Sequence, residues 1–362
     1  MSSRTLAAVV VVGLVAVGCA RSDELSSTPA ATTPEPNTTT SAPASTSPPG
    51  AETSPLAPPP PGPGCLELLT IRQQVALLVW PAVYANAWDA AIAVVRDHGV
   101  GGVLLMEPSG WEPDDVAVRL DELEAVAANG LVIATDEEGG EVQRLRLLGE
   151  LPSQQTASEE LSPDDAGAAV AAHAEVLRGV GVDVVFGPMV DVVPASGEVS
   201  LDRSRFFTGD ASVVTDYARA YVGAWSANGV VPVLKHFPGH GTASADTHLG
   251  AGVTDALAAL EVSDLVPYRE LAASGAAVMV GHLTVPGLTG DVPATRSPEA
   301  VGYLRTTLEY GDALVVSDAL GMGAVGISVD QAAVDAIAAG IDVAIFTDTA
   351  LTGAVIDAVE LA

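Results

Sequence analysis

"VVPVLKHFPGHGTASADTH", residues 230–248, starts with an apolar run, Val231 to Leu234, that is too continuous for a half-exposed strand. Lys235 and His236 follow at once, and then Pro238, Gly239 and Gly241 prevent the chain from continuing as strand or helix. A buried strand that ends in charged residues and a loop is the repeating unit of parallel α/β folds. The same unit recurs in both directions. Val/Ala/Leu-rich runs at Val75–Val79, Gly101–Met106, Leu131–Thr135, Val182–Phe186, Val231–Leu234, Ala276–Val280, Ala313–Ser317 and Asp342–Phe346 make eight candidate strands. Between them lie stretches of helical spacing, "NAWDAAIAVVRDHG", "PDDVAVRLDELEAVAANG" and "QAAVDAIAAG", each closing on a glycine at or near a C-cap position. This alternation predicts a single-domain α/β fold, the (β/α)8 TIM-type barrel, with its chemistry at the C-terminal ends of the strands. An open doubly wound sheet stands as the alternative, because periodicity does not show closure.

The barrel reading requires polar residues after the strands, and they are there. Asp136 follows the third strand, Asp191 the fourth, Lys235 and His236 the fifth, His282 the sixth and Asp318 the seventh. Residues so far apart in sequence converge only if the strands are parallel neighbours. Lys235 is also the only lysine of the chain, in which the combined Lys and Arg count is 15.

The N-terminus reads as an export signal: Arg4, the apolar run Leu6 to Val17, and small residues before Cys19. That run is shorter than the ~20 residues of a membrane-spanning helix. "AVGC" resembles a lipobox, so residues 1–18 are expected to be a lipoprotein signal peptide and Cys19 the lipidated residue, anchoring the protein to the cell membrane outside the cytoplasm. An ordinary cleaved secretion signal is the alternative. Residues 19–64, dominated by Ser, Thr, Pro and Ala, are expected to form a disordered tether, with the folded domain spanning 65–362. With Cys19 acylated, Cys65 lacks a disulfide partner. A formal charge of −31 argues against nucleic acid as a partner. No metal or organic cofactor is implied, and a monomer is the default.

Asp318, in "VVSDALGM", follows a strand-like run and so stands at the barrel mouth as a nucleophile, a metal ligand, a charge partner or a helix N-cap. Asp246 and His248 are two apart on the loop after the fifth strand. That spacing lets the carboxylate accept a hydrogen bond from the ring and fix its tautomer, which makes the pair a candidate acid/base. Zinc is the competing account, with His236, His240, His248 and Asp246 as ligands. Pro238 and Gly239 forbid the helix that would align His236 with His240.

Together, "KHFPGHGTASADTH", "DEEGGEVQRL", "GVDVVFGPMVDV", "VGHLTVPGL" and "SDALGMGA" resemble, in order, the β-N-acetylglucosaminidase branch of glycoside hydrolase family 3, in its single-barrel lipoprotein form. The resemblance implies an exo-acting, retaining hydrolase that removes terminal β-linked N-acetylglucosamine from peptidoglycan fragments. It makes Asp318 the nucleophile, His248 the acid/base and Asp246 the partner that orients it. It assigns sugar contacts to Asp136, Arg144, Lys235 and His236, and to Arg205 with Arg203 as the alternative. The lone lysine would then be a slim ammonium reaching a hydroxyl where a guanidinium would not fit. Asp191 and His282 would support the site from behind. The chain departs from the family pattern at Thr242-Ala243, where Asp-Thr is frequent, and at Glu141, where Arg is frequent. Two other readings stay open: a phosphorylase using the same site, and a catalytically silent sugar-binding lipoprotein.

Overall fold

The structure is a computed structural model that describes residues 65–194 and 199–362, apart from the side chain of Cys65. The expected signal peptide, the lipidation site at Cys19 and the tether to residue 64 lie outside the described residues.

Eight parallel strands form the barrel wall: β1 (Val79–Val83), β2 (Gly102–Leu105), β3 (Val132–Gly139), β5 (Val184–Met189), β6 (Val231–Phe237), β8 (Ala277–Val280), β10 (Val315–Ser317) and β11 (Ala344–Phe346). Three short strands lie off this wall: β4 (Val142–Gln143), antiparallel to β3, and the parallel pair β7 (Gly252–Val253) and β9 (Leu283–Thr284). From β1 to β10 each barrel strand pairs with the next in chain order, and β1 pairs with β11 in the register Val79 to Ala344. A parallel bridge between Val316 and Val343, with Ser317 N–H donating to the Val343 carbonyl at 2.9 Å, brings β10 against β11 and the ring to near closure. The open-sheet alternative is thereby set aside.

The continuous apolar runs have a simple origin: both faces of the barrel strands are buried. Trp80, Ala82, Leu104, Phe186, Val316 and Ile345 fill the barrel interior, while their neighbours Val79, Val83, Leu105, Val185, Val315 and Phe346 pack under the helices. The Trp80 indole takes so much of the interior that its neighbour on β2 must be glycine. A Cβ on Gly102 would lie 2.7 Å from the Trp80 ring and 2.8 Å from the Val132 carbonyl oxygen.

Three expectations need correction. The first strand is not Val75–Val79: Val75 to Leu77 end a helix, Ile71–Leu77, and the strand begins at Val79. That helix is started by Thr70 and Gln73, which cap each other's backbone N–H groups reciprocally. The helix read as 113–130 stops at Val126, and Ala127, not a glycine, caps it. The helices Trp88–His98 and Val329–Ala339 do end on left-handed glycines, Gly99 and Gly340. Finally, β3 and β6 run further than their apolar runs, so Asp136, Lys235 and His236 lie inside strands, not after them.

Candidate active site

On β3 the side chains alternate across the wall. Glu137 points outward, where its carboxylate accepts the Leu145 N–H at 2.7 Å and pairs with His173 Nε2 at 2.9 Å. Asp136 and Glu138 point the other way, toward Lys235 of β6. The ammonium bridges them, with Nζ 2.8 Å from Asp136 Oδ1 and 2.7 Å from Glu138 Oε1. The turn at Gly139 and Gly140 folds β4 back onto β3, so that Arg144 donates its backbone N–H to the Asp136 carbonyl and its guanidinium to Oδ2. Arg205, at the end of a 3-10 turn capped by Asp202, holds Glu138 with two parallel bonds of 2.9 and 2.8 Å.

The result is an alternating chain, Arg144–Asp136–Lys235–Glu138–Arg205, with three cations and two anions. Burial opposes the charge on each acid, but the neighbouring cations prevail. Asp136 is held well below the usual carboxylate range by Lys235 and Arg144, and Glu138 is held at about 2 by Arg205 and Lys235. The same carboxylates outweigh burial at Lys235 and raise its pKa. Lys235 is therefore explained by more than slimness: a compact charge on a flexible stem fits between two carboxylates, and those bonds use two of its three donors. Arg203 lies elsewhere, lining a separate cavity with Phe206 and Phe207.

Asp191, just past β5, organises the loop after β6. It accepts the backbone N–H of His236 at 3.1 Å, the His236 Nδ1 at 2.8 Å and the backbone N–H of His240 at 2.6 Å. Beside it, Asp264 accepts the N–H groups of Val192 and Gly241 at 3.1 and 3.3 Å, tying the exits of β5 and β6 together. Gly241 can only be glycine, since a Cβ there would sit 1.9 Å from the Val192 carbonyl oxygen. Burial, reinforced by the charge of Asp191, pushes Asp264 up to about 7.

Asp318 follows β10. It caps no helix: one carboxylate oxygen accepts the N–H of Ala319 at 2.7 Å, and the next helical turn begins at Gly323. Burial disfavours its charge, but His236, His282 and the Ala319 N–H together hold its pKa below the ordinary aspartate value. His282 stands behind it, bonded to the Thr295 hydroxyl at 2.8 Å and to the Ala319 carbonyl at 2.9 Å. Across the mouth, His248 Nδ1 lies 2.6 Å from Asp246 Oδ1, and the imidazole is 56 % exposed. That bond assigns the proton of the neutral ring to Nδ1 and leaves Nε2 for a ligand.

One cavity of about 380 Å³ joins these groups, lined by Asp136, Arg144, Arg205, Lys235, His236, His248 and Asp318. Apolar wall comes from Leu104, Phe186, Met279 and Ile345. Of the residues singled out in the sequence, Asp246, Asp191 and His282 stand behind this lining through the bonds just given. Among the described residues no group of three or more His, Cys, Asp and Glu side chains is arranged to hold a metal ion.

Three buried residues that shape the site escaped the sequence reading: Glu138, His240 as a support, and Asp264. For Glu138 a signal existed. It stands two residues after Asp136, hence on the same face if the strand continues.

A family model described as "Glycosyl hydrolase family 3 N terminal domain" matches residues 70–361. The chain is 40 % identical over 313 residues to the beta-hexosaminidase LpqI of Mycobacterium tuberculosis, covering 83 % of this chain and 79 % of that protein. The fold superposes with a TM-score of 0.75 on a GH3-family glycosyl hydrolase of Mycobacterium smegmatis, at 40 % identity and with 82 % and 91 % of the two chains covered. It also superposes with a TM-score of 0.75 on a beta-N-acetylhexosaminidase of Beutenbergia cavernae, at 28 % identity and with 81 % and 92 % covered.

Proposed function

The chain belongs to glycosyl hydrolase family 3 and is a glycoside hydrolase, and from that premise we propose that it is a retaining, exo-acting β-N-acetylglucosaminidase. The observation that carries the reading is that one cavity is faced both by Asp318, half-buried and held ionised, and by His248, whose tautomer is set by Asp246. The Asp318 carboxylate attacks the anomeric carbon while His248, entering the step as the imidazolium, gives its Nε2 proton to the departing glycosidic oxygen and is left neutral with its Nδ1–H still donating to Asp246. A covalent glycosyl-enzyme results. His248 Nε2 then takes a proton from water as that water attacks the same carbon and releases Asp318. The second inversion restores the β configuration.

The cavity is at the small end of ligand sites, which suits one terminal sugar. Asp136, Arg144, Lys235 and His236 supply acceptors and donors for its hydroxyl groups, and Arg205 sits beside them, locked by Glu138. An extracytoplasmic protein anchored through Cys19 would meet such sugars on peptidoglycan fragments. Hydrolysis of an aryl β-N-acetylglucosaminide tests the reading, with Asp318→Ala and His248→Ala each expected to lower turnover by ~10²-fold or more. A folded but inactive wild type would instead favour the silent sugar-binding protein. Sugar 1-phosphate formed only in phosphate buffer would favour the phosphorylase.

A further inference from the structure

The acid/base segment contains one residue that does not face solvent. Asp246 and His248 are 32 % and 56 % exposed in their side chains, whereas Thr247 between them is 1 % exposed. Thr247 is gripped from two directions. On one side its hydroxyl lies 3.1 Å from Nε2 of His240. That ring, 2 % exposed, has its other nitrogen 3.1 Å from the Ser200 hydroxyl, and its backbone N–H donates to Asp191. Both ring nitrogens of this candidate zinc ligand are thus taken by hydroxyl groups. Burial holds the ring at about 4, so at neutral pH it has one donor and one acceptor nitrogen, which two hydroxyls can satisfy.

On the other side the grip comes from the turn that follows Asp318. The N–H of Ala324 donates to the Thr247 carbonyl at 3.1 Å, and the N–H of Gly323 donates to the His248 carbonyl at 3.1 Å. The approach leaves no room for a side chain at 323, where a Cβ would lie 2.7 Å from the Leu249 carbonyl oxygen and 3.0 Å from that of His248.

We propose that Thr247 and His240 are positioning residues for His248: the His240–Thr247 bond and the Gly323 and Ala324 amides set the exposed imidazole in register with the carboxylate of Asp318. Asp246 alone fixes the tautomer of the ring, not the place of the segment that carries both residues. A displacement of ~1 Å at a reacting group costs on the order of 10²-fold in rate, so an otherwise exposed loop needs such a grip. The inference rests on the reading of His248 as the acid/base.

The test compares two aryl β-N-acetylglucosaminides, one with a poor and one with a good leaving group, since only the former needs full proton donation. Thr247→Val removes the hydroxyl at constant shape. It is expected to lower kcat/KM on the poor leaving group by ~10-fold or more and on the good one by less than ~3-fold, while Thr247→Ser retains most activity. Added to His248→Ala, Thr247→Val should cost nothing further, because both act through one imidazole. Equal losses on both substrates, or additive losses, overturn the proposal. If Thr247→Val does not fold, Gly323→Ala reaches the same segment from the nucleophile's side and is expected to give the same leaving-group signature; uniform loss there overturns the proposal. A His248→Ala enzyme without leaving-group dependence overturns the acid/base reading and this inference with it. His248→Ala with that dependence, and Thr247→Val without it, overturns the inference alone.

Discussion

Glu138 is fully buried and, among the described residues, is the one acid that pairs with both Lys235 and Arg205. Glu138→Gln keeps its shape and removes its charge, leaving two buried cations without their shared counter-ion. Uncompensated buried charge costs ~3–5 kcal/mol, which denaturant titration should read; a change under ~1 kcal/mol would contradict the account. Its pKa of about 2 lies below the ~4.3 of a free glutamate. This contribution to stability is therefore full above pH ~4.3 and is lost as pH falls toward 2. Asp264 has the opposite sign. Its value of about 7 lies above the ~3.9 of a free aspartate, so its own contribution to stability is full below pH ~4 and declines as pH rises to 7. Asp264→Asn is expected to flatten that decline, and a melting-temperature profile unchanged between pH 4 and 7 would contradict it. These two acids also mark what could be read in advance. Asp136, Asp191, Lys235, His236 and Asp318 announce themselves as polar residues beside apolar runs. Asp264 sits in a stretch with no strand beside it, at the start of the helix Leu265–Leu271, and only the tertiary fold brings it to the loop after β6.

Most of the barrel elements were legible for one reason: strands buried on both faces read as unbroken apolar runs. The first strand was not, because "VALLVW", residues 75–80, runs without interruption from the end of a helix into β1. Apolar content cannot separate the two, yet "TIRQ" at 70–73 is a capping box that marks the helix start. The ends of β3 and β6 were misplaced because site residues lie inside them, and polar side chains in a barrel's last turn resemble a loop. Between β1 and β2, packing makes a further demand. Gly102→Ala pushes a methyl group into the Trp80 ring and the β3 backbone, and should destabilise the fold by ~1–3 kcal/mol through overpacking. Chemical denaturation reads this directly, and a loss under ~0.5 kcal/mol would show that the interior yields more easily than the contacts suggest.

Closure of the ring is a property no local pattern contains. It depends on the contact of β10 with β11, residues far along the chain from β1, and it brings Asp318 to the cavity that Asp136 and Lys235 also line. All residues lining that cavity fall between Leu104 and Thr347. The chain from Cys65 onward should therefore turn over a soluble aryl β-N-acetylglucosaminide with the kcat/KM of the full chain within ~2-fold; a large loss would give the first 64 residues a part in the site. The central claim, that Asp318 forms a covalent bond to the sugar and His248 helps to break it, is tested most directly by intact-protein mass spectrometry. His248→Ala, quenched during turnover of a β-N-acetylglucosaminide with a good leaving group, should carry one added N-acetylglucosaminyl residue, and peptide mapping should place it on Asp318. No adduct under turnover, or an adduct on another residue, would contradict the mechanism.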